Sequence, residues 1–349
     1  MTSIIAQDAI DAWRRERQLD PEPLRRLRAS VLRKFEGWER AVEHLPPEHR
    51  EDFRRQFAAR SLTLADRRDS GRDGATKLLF RTTADLPLES VILRVASGRT
   101  SLCVSSQVGC AARCDFCATG RMNVVKNLSA EEILEQVVQA GQIIAAEGRR
   151  LRNLVFMGMG EPLHNETELH RALAALVDRR AFNLHPARIM ISTVGIPAGM
   201  IRLAEAWPGV RLALSLHSVR PEVRQTLMPI SLRHGLDELH GAMREVTRLQ
   251  QREIMIEYLL LDGVNDTDDD LRLLIEYLCD IDVHVNLIPY NPIDDAPHLA
   301  GSSPERCLHF AAGLKAAGLR VTTRYSLGSD VAAACGQLVR GNQRRRVTA

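Results

Sequence analysis

Through roughly the first 65 residues apolar side chains recur at helical spacing, as at Leu24, Leu27, Val31 and Leu32, and the pattern breaks at Leu45-Pro46-Pro47. The stretch 66–76 (DRRDSGRDGAT) is almost wholly polar and reads as a turn or linker. Beyond it the period changes. Short β-rich runs at 102–105, 154–157, 189–193, 212–216, 254–260 and 283–288 predict strands, with a further run at 319–323. Helical patterns fill the intervals at 129–146, 167–178, 197–206, 235–250, 268–279 and 304–317. Ser129 and Glu132 have capping-box spacing at the start of the first helix, and Pro197 suits the first turn of the third. Six strands each followed by a helix predict a parallel α/β architecture. Polar or glycine residues follow the strand ends (GMGE, STVG, SLHS, LDGVND, PYN), which favours a barrel or partial barrel, where such ends converge on one mouth. The expected division is an N-terminal helical domain over 1–75, a (β/α)6 core over 76–325 and a C-terminal segment over 326–349.

Composition narrows the class. The chain has 349 residues, 45% apolar and 26% charged, which excludes a disordered, collagen-like or disulfide-miniprotein chain. No apolar run approaches the ~20 residues that span a bilayer. The opening MTSIIAQDAIDAWRRERQ places Asp8 and Asp11 inside its apolar part, unlike a signal peptide. A cytoplasmic monomer with no membrane partner is therefore expected. The formal charge of +3 is unevenly placed, because 340–349 hold four arginines and no acid. Removing those four from the 47 basic side chains leaves 43 against 44 acidic ones. Such a tail is either a solvated terminus or a contact for phosphate.

Of the seven cysteines, Cys103, Cys110, Cys114 and Cys117 lie close together. The last three give C-x3-C-x2-C in GCAARCDFCATG. Soft thiolates at this spacing select zinc or an iron–sulfur cluster. Zinc sites usually show paired C-x2-4-C halves, so the cluster is favoured; a zinc knob completed by a distant ligand and a run of inert buried thiols stay as alternatives. Three local ligands would leave one iron open to a substrate or cofactor.

With Phe116 before the third cysteine, the motif resembles the radical S-adenosylmethionine superfamily. That resemblance implies a partial (β/α)6 radical-SAM barrel whose 4Fe-4S cluster, on Cys110, Cys114 and Cys117, chelates S-adenosylmethionine and cleaves it to a 5′-deoxyadenosyl radical. The segments SLCVSSQVGC (101–110), FMGMGEP (156–162), ISTVG (191–195), ALSLHS (213–218), LIPYN (287–291) and AACGQL (333–338) are similar to the RlmN/Cfr family, radical methyltransferases of adenine carbons in large-subunit ribosomal RNA. The resemblance implies that Cys335 carries the methyl group, Cys103 resolves the protein–RNA thioether through a transient disulfide, and Glu89 is the base. It implies that Gly160, Glu161 and Pro162 receive the amino group of S-adenosylmethionine, and that Ser192, Ser215, Leu216, His217 and Asn291 line the rest of that site. Gly160 is expected to let the backbone approach the ligand. It also implies RNA as partner and a one-electron reductant such as flavodoxin. Ala118-Thr119-Gly120 looks more like the C8-methylating side, but C2 and C8 both stay open. Cys279 and Cys307 are expected in the core. The competing functions are the same radical chemistry on tRNA or another substrate, and a zinc-stabilised RNA-binding protein.

Overall fold

The protein is described by a computed structural model covering residues 2–58 and 61–338. The arginines of the terminal run, Arg340 and Arg344 to Arg346, lie outside the described residues. Four helices come first: α1 (Gln7–Glu16), α2 (Pro21–Leu32), α3 (Trp38–Val42) and α4 (Pro47–Gln56). They close around Trp13, Phe53 and Phe57, with ring centroids 4.9 Å apart for Trp13–Phe53 and 4.6 Å for Phe53–Phe57. Their apolar faces continue without a break into the core of the sheet domain.

Ten strands follow in one sheet: β1 (Leu62–Asp69), β2 (Ala75–Thr82), β3 (Pro87–Arg94), β4 (Thr100–Cys103), β5 (Leu151–Phe156), β6 (Ile189–Thr193), β7 (Arg211–Ser215), β8 (Ile254–Leu260), β9 (Val283–Pro289) and β10 (Arg320–Thr323). Their spatial order is their chain order. β1 to β4 form an antiparallel meander, and from β4 onward every pairing is parallel. The crossovers are made by α5 (Ala130–Ala146), α6 (Glu166–Val177), α7 (Pro197–Ala206), α8 (Pro221–Leu227) with α9 (Leu236–Gln250), α10 (Asp268–Leu278) and α11 (Pro304–Ala316). Among the described residues β1 and β10 do not pair with each other, so the barrel is partial. None of the described helices is long and apolar enough to cross a membrane.

Local chemistry explains the crossovers. Ser129 Oγ accepts the Glu132 N–H at 3.2 Å while Glu132 Oε2 accepts the Ser129 N–H at 3.0 Å, so both ends of the capping box form at α5. Pro197 opens α7 as its spacing predicts. The central strands β8 and β9 are covered on both faces, and β8 reads as an apolar run broken only by Glu257.

Two expectations need correction. The polar stretch 66–76 is the end of β1, a turn and the start of β2; β1 is an edge strand whose exposed side chains are polar, which a linker also shows. Cys279 is exposed at the end of α10, with its thiol on the Glu276 carbonyl at 3.2 Å, whereas Cys307 is buried as expected.

Candidate active site

The strand ends of the parallel half surround a cavity of about 150 Å³. One wall is the cysteine loop. Gly109 enters it at φ +82°, where a Cβ would fall 2.0 Å from the Asn123 carbonyl oxygen, so only glycine fits. The loop is held by Asp115 N–H to the Leu227 carbonyl (2.9 Å), Cys117 N–H to the Cys114 carbonyl (3.2 Å) and Ala118 N–H to the Gly336 carbonyl (2.7 Å). Cys110, Cys114 and Cys117 all line the cavity. Burial pushes the Cys110 thiol up to about 12 and raises Cys114 and Cys117 as well, so iron must displace their protons on binding.

Among the described residues no three His, Cys, Asp or Glu side chains converge where a single metal ion could sit. A four-iron cluster asks for one iron to each thiolate, and the three thiols that line this cavity suit that demand.

The opposite wall carries the cofactor candidates. Glu161 is buried; its Oε1 accepts the Leu163 N–H at 2.9 Å and its Oε2 the Val194 N–H at 2.8 Å. Burial raises its carboxyl to about 7, against the pull of those two hydrogen bonds. Gly160 sits at φ +98°, and a Cβ there would lie 2.6 Å from Gln107 Cβ. Its glycine is thus required by packing against the segment after β4. Ser192 and Ser215 face the cavity beside Glu257, whose Oε2 accepts from Ser192 Oγ at 3.3 Å. His217 is held at φ +58°, its ring edge-on to Phe116 at 4.8 Å. Its Nδ1 accepts the Leu259 N–H at 3.0 Å, which leaves the ring proton on Nε2. Burial, aided by Arg224, lowers its pKa to about 3, so it is neutral. Pro162 and Leu216 are buried but do not line the cavity; the Leu216 side chain belongs to the core.

Cys335 also lines this cavity, and it lines a second one of about 480 Å³ that runs beside it into the barrel. Cys103 opens only into the second. Burial, with Cys335 adding to it, pushes the Cys103 thiol up to about 12. Asn291 lines the first cavity, and its Nδ2 donates to Ser326 Oγ at 3.0 Å and to the Cys335 carbonyl at 3.3 Å, so it fixes the cysteine's backbone. Arg324 lies against both thiols; Cys335 first, and then Glu257, raise its pKa. Glu89 lines neither cavity. It is buried on the sheet face that bears Cys103, since Val91 pairs with Cys103 and Glu89 is two residues from Val91 on β3. Glu257 and Arg324 went unnoticed in the sequence, although an acid inside the apolar run IMIEYLL is a signal of its own.

Residues 104–277 match the Radical SAM superfamily. The crystal structure of a radical SAM methyltransferase from Sphaerobacter thermophilus superposes with a TM-score of 0.90 at 36% identity, covering 97% of each chain. A three-thiol wall facing a cofactor cavity, on this fold, defines a radical S-adenosylmethionine methyltransferase that uses a 4Fe-4S cluster. The chain is 52% identical to the Rhodopirellula baltica protein named Probable RNA methyltransferase RB6963, over 97% of this chain and 87% of that one. It is 41% identical to the Desulfotalea psychrophila protein named Dual-specificity RNA methyltransferase RlmN, over 77% of this chain and 76% of that one. It belongs to the RlmN-type RNA methyltransferases.

Proposed function

We propose that this cytoplasmic enzyme methylates an aromatic carbon, C2 or C8, of an adenosine in large-subunit ribosomal RNA, with Cys335 as methyl carrier. The observation that carries the reading is the place of Cys335 in the wall shared by two cavities, one lined by the cluster thiols and Glu161, the other by Cys103. A methyl group on this sulfur has the cofactor on one side and room for a base on the other.

Adenine C2 and C8 have no lone pair with which to attack a sulfonium methyl, which is why a radical route is required. Cys110, Cys114 and Cys117 would hold the cluster, and Glu161, Ser192, Ser215 and His217 the S-adenosylmethionine; when bound, the pair supplies an electrophilic methyl group and a hydrogen-abstracting carbon radical. The remaining work falls to the chain. Cys335 takes the methyl group on Sγ, gives up one of its hydrogens, and joins the resulting carbon to the adenine ring. Glu89 takes the proton from the ring carbon. Cys103 Sγ then attacks Cys335 Sγ: the S–S bond forms as the S–C bond breaks, and the carbon keeps the bonding pair and takes up a proton. The odd electron passes to a one-electron acceptor, and a dithiol reductant reopens the disulfide. A flavodoxin-class protein suits the electron supply, and the enzyme acts as a monomer.

Nucleoside mass spectrometry of large-subunit RNA and tRNA, from cells with and without the gene, tests this. Gene-dependent 2-methyl- or 8-methyladenosine in large-subunit RNA is expected, and its position on the ring assigns the carbon. Gene-dependent methyladenosine in tRNA alone would overturn the substrate assignment.

A further inference from the structure

The polar stretch before and within β2 holds the Cys335 segment in place. Asp330 accepts from Ser70 Oγ at 2.8 Å and from the Gly71 N–H at 3.0 Å, and Asp73 Oδ2 accepts the Gly328 N–H at 2.8 Å. Deeper in the same face, Lys77 Nζ donates to the Ala332 carbonyl at 3.1 Å. Ala332 sits in the left-handed region at φ +51°, three residues before Cys335, a conformation that needs support from its surroundings.

The same ammonium lies 3.3 Å from Glu89 Oε1 and 3.4 Å from Oε2, and the two side chains are only 2% and 4% exposed. A buried lysine–glutamate pair is a weak source of stability, because desolvation offsets most of its attraction. What it does fix is geometry, because one ammonium ties the Glu89 carboxylate to the turn before Cys335.

We propose that Lys77 is a positioning residue, whose ammonium sets the Glu89 carboxylate against the turn that presents Cys335. This rests on Glu89 being the base. The step it serves moves a proton from the adenine carbon to a Glu89 oxygen, and the C–H bonding pair stays in the ring. Removing the ammonium leaves the Asp73 and Asp330 contacts to hold the turn, so the steps that precede proton removal survive.

The test uses the full chain with its cluster reconstituted, unmethylated large-subunit RNA, and the variants Lys77→Met, Lys77→Arg and Glu89→Gln. For Lys77→Met we expect Cys335 still to be methylated, methyladenosine formation to fall about a hundredfold, and the covalent protein–RNA adduct to accumulate, with Lys77→Arg restoring turnover. Wild-type turnover in Lys77→Met overturns the proposal. So does a loss of Cys335 methylation in step with product, which marks a residue needed only for folding. Full turnover in Glu89→Gln refutes the base assignment itself; a stalled Glu89→Gln beside a normal Lys77→Met refutes the role of Lys77 alone.

Discussion

Protonation of His217 links the folding of the chain to pH in a way that one substitution isolates. The ring is buried, its Nδ1 bonded to the Leu259 N–H, and its pKa is lowered from 6.5 to about 3. As the folded value is depressed, the unfolded chain binds the proton first as pH falls. The contribution to stability is complete above about pH 6.5 and is lost progressively toward about pH 3. Between about pH 7 and about pH 5 the loss from this ring comes to about 2 kcal/mol, at 1.36 kcal/mol for each unit below the unfolded value. His217→Asn is the suitable perturbation: asparagine tolerates φ +58° and its Oδ1 can accept the same N–H, but it does not titrate. Loss of the edge-on contact with Phe116 costs about 1 kcal/mol at every pH. Guanidinium unfolding of the metal-free wild type and variant at both pH values should show the wild-type advantage shrinking by about 2 kcal/mol on acidification. Parallel losses in the two proteins would refute a neutral, buried His217, and with it the assignment of its remaining proton to Nε2.

Other substitutions separate packing from chemistry. Gly160→Ala places a Cβ 2.6 Å from Gln107 Cβ at φ +98°, and should lower stability by about 2–4 kcal/mol in urea unfolding. Cys103→Ser, which leaves the cofactor cavity untouched, should keep full iron and sulfide content and a methylated Cys335 yet stop at the covalent RNA adduct, visible on a denaturing gel.

The βα units were legible because their signals are local: the Ser129–Glu132 capping box, the first-turn Pro197, and apolar runs of strand length. The first three strands of the antiparallel meander were not. β2 is buried on nearly every side chain and shows no alternation, while β1, exposed at an edge, has the composition of a loop. The cluster thiols could be read because their ligand spacing is contiguous in sequence. Cys103 and Cys335 are separated by most of the barrel, and the resemblance of their flanking motifs was the only sign that they belong together. Lys77 gave a signal that passed unused, as a cation directly before the apolar run 78–80 in a chain with few lysines. Gly160 lines the cofactor cavity, and its missing Cβ also makes room for Gln107, a packing reason the sequence alone did not show.

The central claim is that Cys335 carries the methyl group between two cavities. Mass spectrometry of the tryptic peptide containing Cys335, from protein isolated anaerobically with its cluster intact, tests it most directly. The account predicts a methyl or methylene thioether on Cys335 that disappears in Cys114→Ala, where one cluster thiol is missing. A Cys335 that remains an unmodified thiol in cluster-replete, S-adenosylmethionine-supplied protein would contradict it.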